Sequence, residues 1–405
     1  MKKTTLFYAC AALMLCGSCS DFMDTYPYDA LSPATTWQTE DDAEKFLVGC
    51  YEGWLWGEEF VYLECTSDIG FNYHTHEGWR MIGDGTLTAG NPGNSFYSFT
   101  RIRRCVTFLE NIDKISFSDE SKKKDLIAQA RVIRAYDYFK MNFWYGGVPI
   151  ITEFKDADEA KVPKNTEKEV IDYIYKEIDL AVPDLNEERA PKGGRIRKGA
   201  ALALKMRSAL YWGDYQRALD AAKDIKALGQ YELDNSYANL FTLAGRDSKE
   251  IILSVQHLMP SKSEWLVTIP NNADGGWSSM VPTQNLIDMY EMADGKTKEE
   301  AGLGYDPTHP FAKRDPRMAM TVLYPGQDWA SGPNGILNTL VDTLPDGKKN
   351  PNYPTSADNA SKTGLTWAKY VAPLEQYNGS LEPTEQQQIV FRYAEVLLTI
   401  AEASN

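Results

Sequence analysis

The sequence predicts a mostly α-helical fold: helical pairs stacked into a superhelix, carrying long loop-rich insertions and a few short strands. Three observations predict it. The stretch 128–152, AQARVIRAYDYFKMNFWYGGVPIIT, reads as one long apolar helix packed by neighbours on more than one side. The string ALYWGDYQRALDAAKDI at 209–225 reads as two helices closed over a tight turn. From about residue 231 to 388 the texture changes to Gly, Pro and Asn, with only brief helices and one β-like run.

The first residues form a targeting segment and stand outside the fold. Lys2 and Lys3 precede an apolar run at 6–15, too short to span a bilayer. Cys16-Gly17-Ser18-Cys19 follows and resembles a bacterial lipobox. That resemblance implies a signal peptide at 1–18, cleavage before Cys19, acylation of the Cys19 thiol and a lipidated tether at 19–33. Cys16 departs from the usual Leu, and a plain secretory signal cut elsewhere is the competing reading.

The mature chain opens with a predicted helix at 36–56, where Thr39 and Asp42 have capping-box spacing and Ala43, Phe46, Leu47, Cys50 and Trp54 form the apolar face. Residues 62–98 lack clear periodicity and read as a long loop, a kind of segment that commonly carries function. A helix is expected at 99–112, with Ile102, Val106 and Leu109 in register. In the long helix, Val132, Tyr136, Phe139 and Phe143 form a stripe that Ala135, Tyr138, Met141 and Tyr145 widen. Gly146-Gly147 and Pro149 should end it. Thr166 with Glu169 marks the start of a helix at 166–180. The pair at 197–212 and 215–228 resembles a tetratricopeptide unit, with small Ala209 and Ala218 at the crossing and Gly213-Asp214 at the turn. Residues 250–256 read as strand, 284–292 and 389–403 as helix.

Charge and cysteines exclude several classes. The formal charge is −15 over 405 residues, without a basic cluster in the sequence, which argues against nucleic acid as partner. Cys50, Cys65 and Cys105 sit in apolar contexts and read as buried small hydrophobes rather than a disulfide framework. His74 and His76 alternate, but no further ligand stands at diagnostic spacing, so no metal or other cofactor is expected. The acidic groups at Asp156, Asp158 and Glu159, at Glu167 and Glu169, and at Glu299 and Glu300 read as solvated faces.

Five strings together are similar to the SusD/RagB family: ATTW at 34–37, the helix at 128–152, MYEMADGK at 289–296, GYDPTHPFAKRDPRMAMTVLYPG at 304–326 and FRYAEVLLTIAEASN at 391–405. The resemblance spans nearly the whole mature chain. It implies a SusD-like fold with an N-terminal helical domain at 34–230 and a loop-rich domain at 231–405. It also implies a lipoprotein on the outer membrane, facing the exterior, that binds glycan without catalysis and lies over a TonB-dependent transporter of the SusC type. Members usually continue past the RYAEVLL helix, so the last helical pair is expected to be incomplete here.

Sugars offer C–H faces for aromatic rings and hydroxyl edges for Asn, Asp and Arg. Two loop regions supply such residues. The first holds Tyr73, Trp79, Arg80 and Asp84, with His74 and His76 beside them. The second holds Asn272, Asp274, Trp277, Asp328, Trp329 and Trp367, with Asn271 adjacent. Packing or loop anchoring is the competing reading for each tryptophan. Trp54, Trp56, Trp144 and Trp212 read as structural. So does Arg314-Asp315-Pro316-Arg317, as a turn or helix start whose arginines pair with carboxylates or loop carbonyls. Two alternatives stand beside glycan binding: the same fold binding peptide or another polymer, and a glycosidase using paired carboxylates. The chain has no G-x-S-x-G, H-E-x-x-H, P-loop or G-x-G-x-x-G motif.

Overall fold

The computed structural model describes residues 36–153, 161–189, 193–259, 266–330, 332–371 and 385–405. Cys19 with its lipobox, the tether at 19–33 and the acidic run Asp156, Asp158 and Glu159 lie outside them. Among the described residues seven helices have eleven residues or more: α1 Glu40–Tyr51, α2 Thr100–Asn111, α3 Glu120–Tyr145, α4 Glu167–Ala181, α5 Lys198–Tyr211, α6 Tyr215–Ala227 and α7 Tyr393–Ala403. Each packs on the next through α6, and α7 closes back on α6 and α5. This is the stacked-pair superhelix expected from the sequence.

Local chemistry accounts for the boundaries. At α1 the Thr39 hydroxyl accepts from the Asp42 amide at 3.2 Å, and the Asp42 carboxylate accepts from the Thr39 amide at 2.9 Å. Thr166 and Glu169 repeat the arrangement at α4. The long helix α3 begins at Glu120, earlier than the apolar pattern alone indicates, because Asp119 caps it and a polar first turn precedes the stripe. It stops at Gly146 and Gly147, whose φ angles of 60° and 89° lie in the left-handed region. The Asn142 side-chain oxygen receives the Gly147 amide there at 2.7 Å.

Val132, Tyr136, Tyr138, Phe139 and Met141 are buried, and each such side chain contributes about 1.5–3 kcal/mol of transfer free energy. Phe143 and Tyr145, expected in the same stripe, instead keep 50% and 38% of their surface exposed in the last turn of α3. Of the tryptophans read as structural, Trp54 is buried and Trp56 is half exposed. Buried charges of α3 are paired by its neighbours. Asp137 takes a bidentate pair from Arg101 of α2, and Glu177 of α4 accepts from Arg131 and Arg134.

Among the described residues six short strands form three antiparallel pairs: β1 Gly70–Asn72 with β3 Met280–Pro282, β2 Ile251–Val255 with β6 Gln388–Arg392, and β4 Val322–Leu323 with β5 Thr366–Trp367. The β6 pairing corrects the expected helix at 389–403. Ile389, Val390 and Phe391 form a short apolar run that suits a buried strand as well as a helix turn, and β2 selects the strand. The expected loop at 62–98 likewise contains β1 and short helical turns at Leu63–Thr66, Thr75–Glu77 and Arg80–Gly83.

The largest hydrophobic cluster unites the helices with Ile252, Val390, Phe391 and Val396. A second cluster lies under the loops and is built from Val61, Tyr62, Cys65, Trp79, Ile269, Met280, Leu323, Trp329, Leu337, Trp367 and Val371. Cys50, Cys65 and Cys105 are free and buried. Burial pushes the Cys65 thiol well above its ordinary range, as it does the Tyr62 phenol beside it. The RDPR segment has the structural role expected of it. Asp315 caps the short helix Pro316–Thr321 and pairs with Arg317, while the Arg314 guanidinium donates to the carbonyls of Ile287, Tyr290, Glu291 and Pro310.

Candidate functional site

The two loop regions meet because β1 pairs with β3. The Tyr73 amide continues the ladder by donating to the Ser279 carbonyl at 2.8 Å. Asn72, buried at the end of β1, ties both loops: its side-chain nitrogen donates to Ser279 O at 3.0 Å and to Glu77 Oε2 at 2.5 Å. Its oxygen receives the Arg80 amide at 3.1 Å.

Within the first loop, Arg80 donates to the Tyr73 carbonyl at 3.1 Å and lies 3.7 Å from Asp84. Asp84 accepts from the Thr86 hydroxyl at 2.6 Å. These contacts shape the loop; a half-exposed ion pair of this kind adds at most about 1 kcal/mol. Tyr73 donates its hydroxyl to Asp358 at 3.3 Å, and the Lys362 ammonium sits 4.4 Å from its ring centre. The His74 ring stands 5.0 Å from Tyr73 and 5.6 Å from His76. His76 lies in a helical turn rather than on a strand, and among the described residues no group of His, Cys, Asp or Glu has the arrangement of a metal site.

The second loop is anchored from below. The Trp329 indole N–H donates to Asp274 Oδ2 at 2.7 Å, and the Asn271 side chain donates to the same oxygen at 2.7 Å. Asn272 donates to Pro351 O at 2.9 Å, and the Asn352 side chain receives the Ala273 amide at 2.9 Å. Gly276 passes so close to Pro270 that a Cβ there would lie 2.1 Å from its carbonyl oxygen. Directly after this turn Trp277 projects with 40% of its surface exposed, its amide donating to Val267 O at 2.9 Å. Ser278 follows with φ 41°, an uncommon value for a non-glycine residue.

The candidates therefore divide. Tyr73, Arg80, Asp84, Asn272, Asp274 and Trp277 are brought to one loop assembly. Asp328 is exposed on the neighbouring turn. Trp79, Trp329 and Trp367 depart from the expectation of open ring faces, with 1%, 8% and 5% exposure. The physical reasons are specific. Trp79 stacks parallel on Tyr62 at 5.7 Å, Trp329 is held by Asp274, and Trp367 lies on β5 inside the second cluster. Asp274 is buried with Trp329 and acts as an anchor. Asp358 and Lys362 were not found from the sequence; nothing in their local context marks them, and only the fold brings them to Tyr73.

Trp367 also lines a cavity of about 400 Å³ that it shares with Arg207, Tyr370 and Leu398 of α7. A second cavity of about 690 Å³ opens on the same helix, between Tyr237, Tyr290 and Leu397. No helix among the described residues is long and apolar enough to cross a membrane.

Comparison with known proteins gives concordant matches. The model described as "SusD family" matches residues 239–405, and the model described as "Starch-binding associating with outer membrane" matches residues 21–210. SusD-like protein P38 of Formosa agariphila is 24% identical over 100% of this chain and 79% of its own length. The crystal structure of a SusD-like carbohydrate-binding protein from Bacteroides fragilis is similar at TM-score 0.77 and 28% identity, covering 91% of this chain and 74% of that one. Surface glycan-binding protein A from Bacteroides thetaiotaomicron, solved in complex with laminarihexaose, shares the fold at TM-score 0.63 and 15% identity, over 90% of this chain and 79% of that one. With the two models matching either half, and with the superhelix and strand-tied loops described above, the chain belongs to the SusD/RagB family.

Proposed function

We propose that this protein binds a glycan on the outer surface of the cell without cleaving it. The ligand is an oligosaccharide or polysaccharide, handed on to a TonB-dependent transporter of the SusC type. Lipidation at Cys19 would hold the protein to the outer membrane, and the division at 230/231 would separate the helical scaffold from the loop-rich half. The reading is supported by the family, whose matched model is described as starch-binding and associating with the outer membrane, and by a neighbour of the same fold solved with laminarihexaose.

One observation carries the reading at the level of residues. Trp277 is the candidate loop tryptophan whose ring is open, and it projects from a turn fixed by Gly276, Asp274 and Asn352. A pyranose stacks its C–H face on such a ring while polar groups at the edge take its hydroxyls. Tyr73, His74, Asp358, Lys362 and Asn272 supply donors and acceptors from the adjoining loops. Arg80 and Asp84 hold the first loop in shape, and Asp328 adds an acceptor at the rim. Binding by a preformed platform requires no reacting group, only retention and release.

Affinity electrophoresis and calorimetry against a polysaccharide panel that includes laminarin test this. Retention by one glycan, lost in Trp277→Ala with the helical circular dichroism unchanged, is the expected result. Retention equal in wild type and Trp277→Ala overturns the site. Binding of peptides but of no glycan overturns the ligand class, and release of reducing ends overturns the non-catalytic reading.

A further inference from the structure

Away from the loop platform, four arginines meet at one small cavity. Arg189, Arg195, Arg197 and Arg246 line it together with Tyr231, where strand β2 passes the N-terminal end of α5. Its volume is about 30 Å³. The convergence is notable in a chain of formal charge −15.

Two of the four cations are neutralised. Arg195 pairs with Glu44 of α1 at 3.0 Å, and Arg246 pairs with Glu385. Arg189 donates to the carbonyls of Asp247 and Ser248, which offer acceptors without full charge. Among the described residues Arg197 has no carboxylate partner. Burial holds the Arg189 guanidinium below its ordinary range, against the opposing pull of Tyr231 and Asp247, as expected for a cation short of counter-charge.

The hydrogen bonds are incomplete in the same place. Arg189 Nε, Arg195 Nη1, Arg197 Nε and the Tyr231 hydroxyl are buried and find no hydrogen-bond partner among the described residues. The three guanidinium nitrogens can only donate. They require a species rich in acceptors, and the charge favours an anion over water. The start of the helix fixes one of these arginines: Arg197 is the N-cap of the 14-residue α5, in extended conformation, and the following amide, that of Lys198, is taken by the Asn186 carbonyl at 3.0 Å, so it is the Arg197 side chain that lines the recess. Gly199 in the first turn completes the fit: a Cβ there would lie 2.1 Å from the Tyr231 hydroxyl. Only glycine lets that phenol rest against the helix start.

We propose that this recess is an oxyanion site, taking the carboxylate or sulfate group of a small anion. The cavity has room for the oxygens of one such group; a single water needs about 10–15 Å³ on the same measure. The bound group would join α1, α5 and β2 through Arg195, Arg197 and Arg189. It has two sources, a free inorganic anion or an acidic sugar.

Calorimetric titration with sodium sulfate and with sodium glucuronate, at fixed ionic strength and with glucose as the neutral control, tests the proposal. One saturable equivalent of either anion, absent with glucose, is the expected result. Sulfate alone identifies a free inorganic anion as the source; glucuronate competing with sulfate identifies the acidic sugar. Arg197→Gln should weaken binding roughly tenfold, the scale of one charge-assisted bidentate contact. It should leave retention of neutral glycan unchanged, because Arg197 lies outside the loop platform. Tyr231→Phe should weaken binding less. If Arg197→Gln fails to fold, Arg197→Lys keeps the charge, loses the fork and should still bind more weakly. Unchanged affinity in the folded Arg197 variant, or no saturable binding of either anion, overturns the site and leaves the cavity to water. Sulfate also raises unfolding midpoints by exclusion from protein surfaces, so a thermal shift shared by wild type and variant counts against the proposal.

Discussion

Two tryptophans that look alike in sequence should behave in opposite ways when replaced. Trp277 is 40% exposed and Trp329 is 8% exposed. A tryptophan presents at most about 250 Å², so the open part of Trp277 is about 100 Å². A sugar ring lying on one face would cover about half of that, and about 50 Å² at about 25 cal/mol per Å² is about 1.3 kcal/mol, or roughly tenfold in Kd. Trp277→Ala should therefore cost about tenfold in glycan affinity while moving the urea midpoint little. Trp329→Phe keeps a ring in the core but removes the indole N–H held by Asp274 at 2.7 Å. Leaving that buried acceptor short of a partner costs about 1–3 kcal/mol of stability. Urea unfolding followed by fluorescence, paired with calorimetry on the same samples, separates the two effects. A Trp277→Ala variant that loses more than about 2 kcal/mol of stability would refute the assignment of an open platform. So would a fully stable Trp329→Phe variant that no longer binds.

Three further outcomes follow from the packing. Glu177→Gln should cost about 3–5 kcal/mol in urea unfolding, since Arg134 at 6% side-chain exposure would lose its counter-charge, whereas Lys168→Ala, at an exposed pair, should cost less than about 0.5 kcal/mol. Glu169 accepts from the Thr166 amide at 2.8 Å, which lowers its pKa below the ordinary 4.5; its stabilisation is present above that value and lost as pH falls through the folded one. Glu169→Gln should flatten the pH dependence of unfolding in that window, and an unchanged slope would remove the cap from the account. Gly276→Ala places a Cβ 2.1 Å from a backbone oxygen, so the turn must shift, and glycan retention should fall while far-ultraviolet circular dichroism stays the same.

The helices were legible because their determinants are local. Thr39 with Asp42 and Thr166 with Glu169 announce α1 and α4, and Gly146-Gly147 ends α3 where a left-handed backbone is needed. The segment at 388–392 was not, because a short apolar run suits strand and helix alike and only β2 decides between them. The site was legible in part. Aromatic and polar loop residues were recognisable, but their exposure was not, since Trp329 beside Gly and Asp resembles a surface residue until Asp274 is placed 55 positions away. Asp358 and Lys362 reach Tyr73 across 285 positions and more, a contact that no local pattern encodes.

On the proposed reading, the buried tryptophans are what would let the exposed one act. A ring on a mobile loop must be ordered when ligand arrives, at about 0.5–1.5 kcal/mol for each immobilised side chain, which would cancel most of the stacking gain worked out above. In this chain the ordering is done during folding. Trp329 and Asn271 fix Asp274, Asn352 and Pro351 hold the two residues before it, Ala273 and Asn272, and β1 with β3 ties the far side of the loop to Tyr73. Trp79 on Tyr62 fills the space beneath the first loop. If Trp277 is the platform proposed above, the apolar cluster under the loops is part of the binding device: it would hold Trp277 in place before any ligand is present, so that a modest contact area could still yield useful affinity.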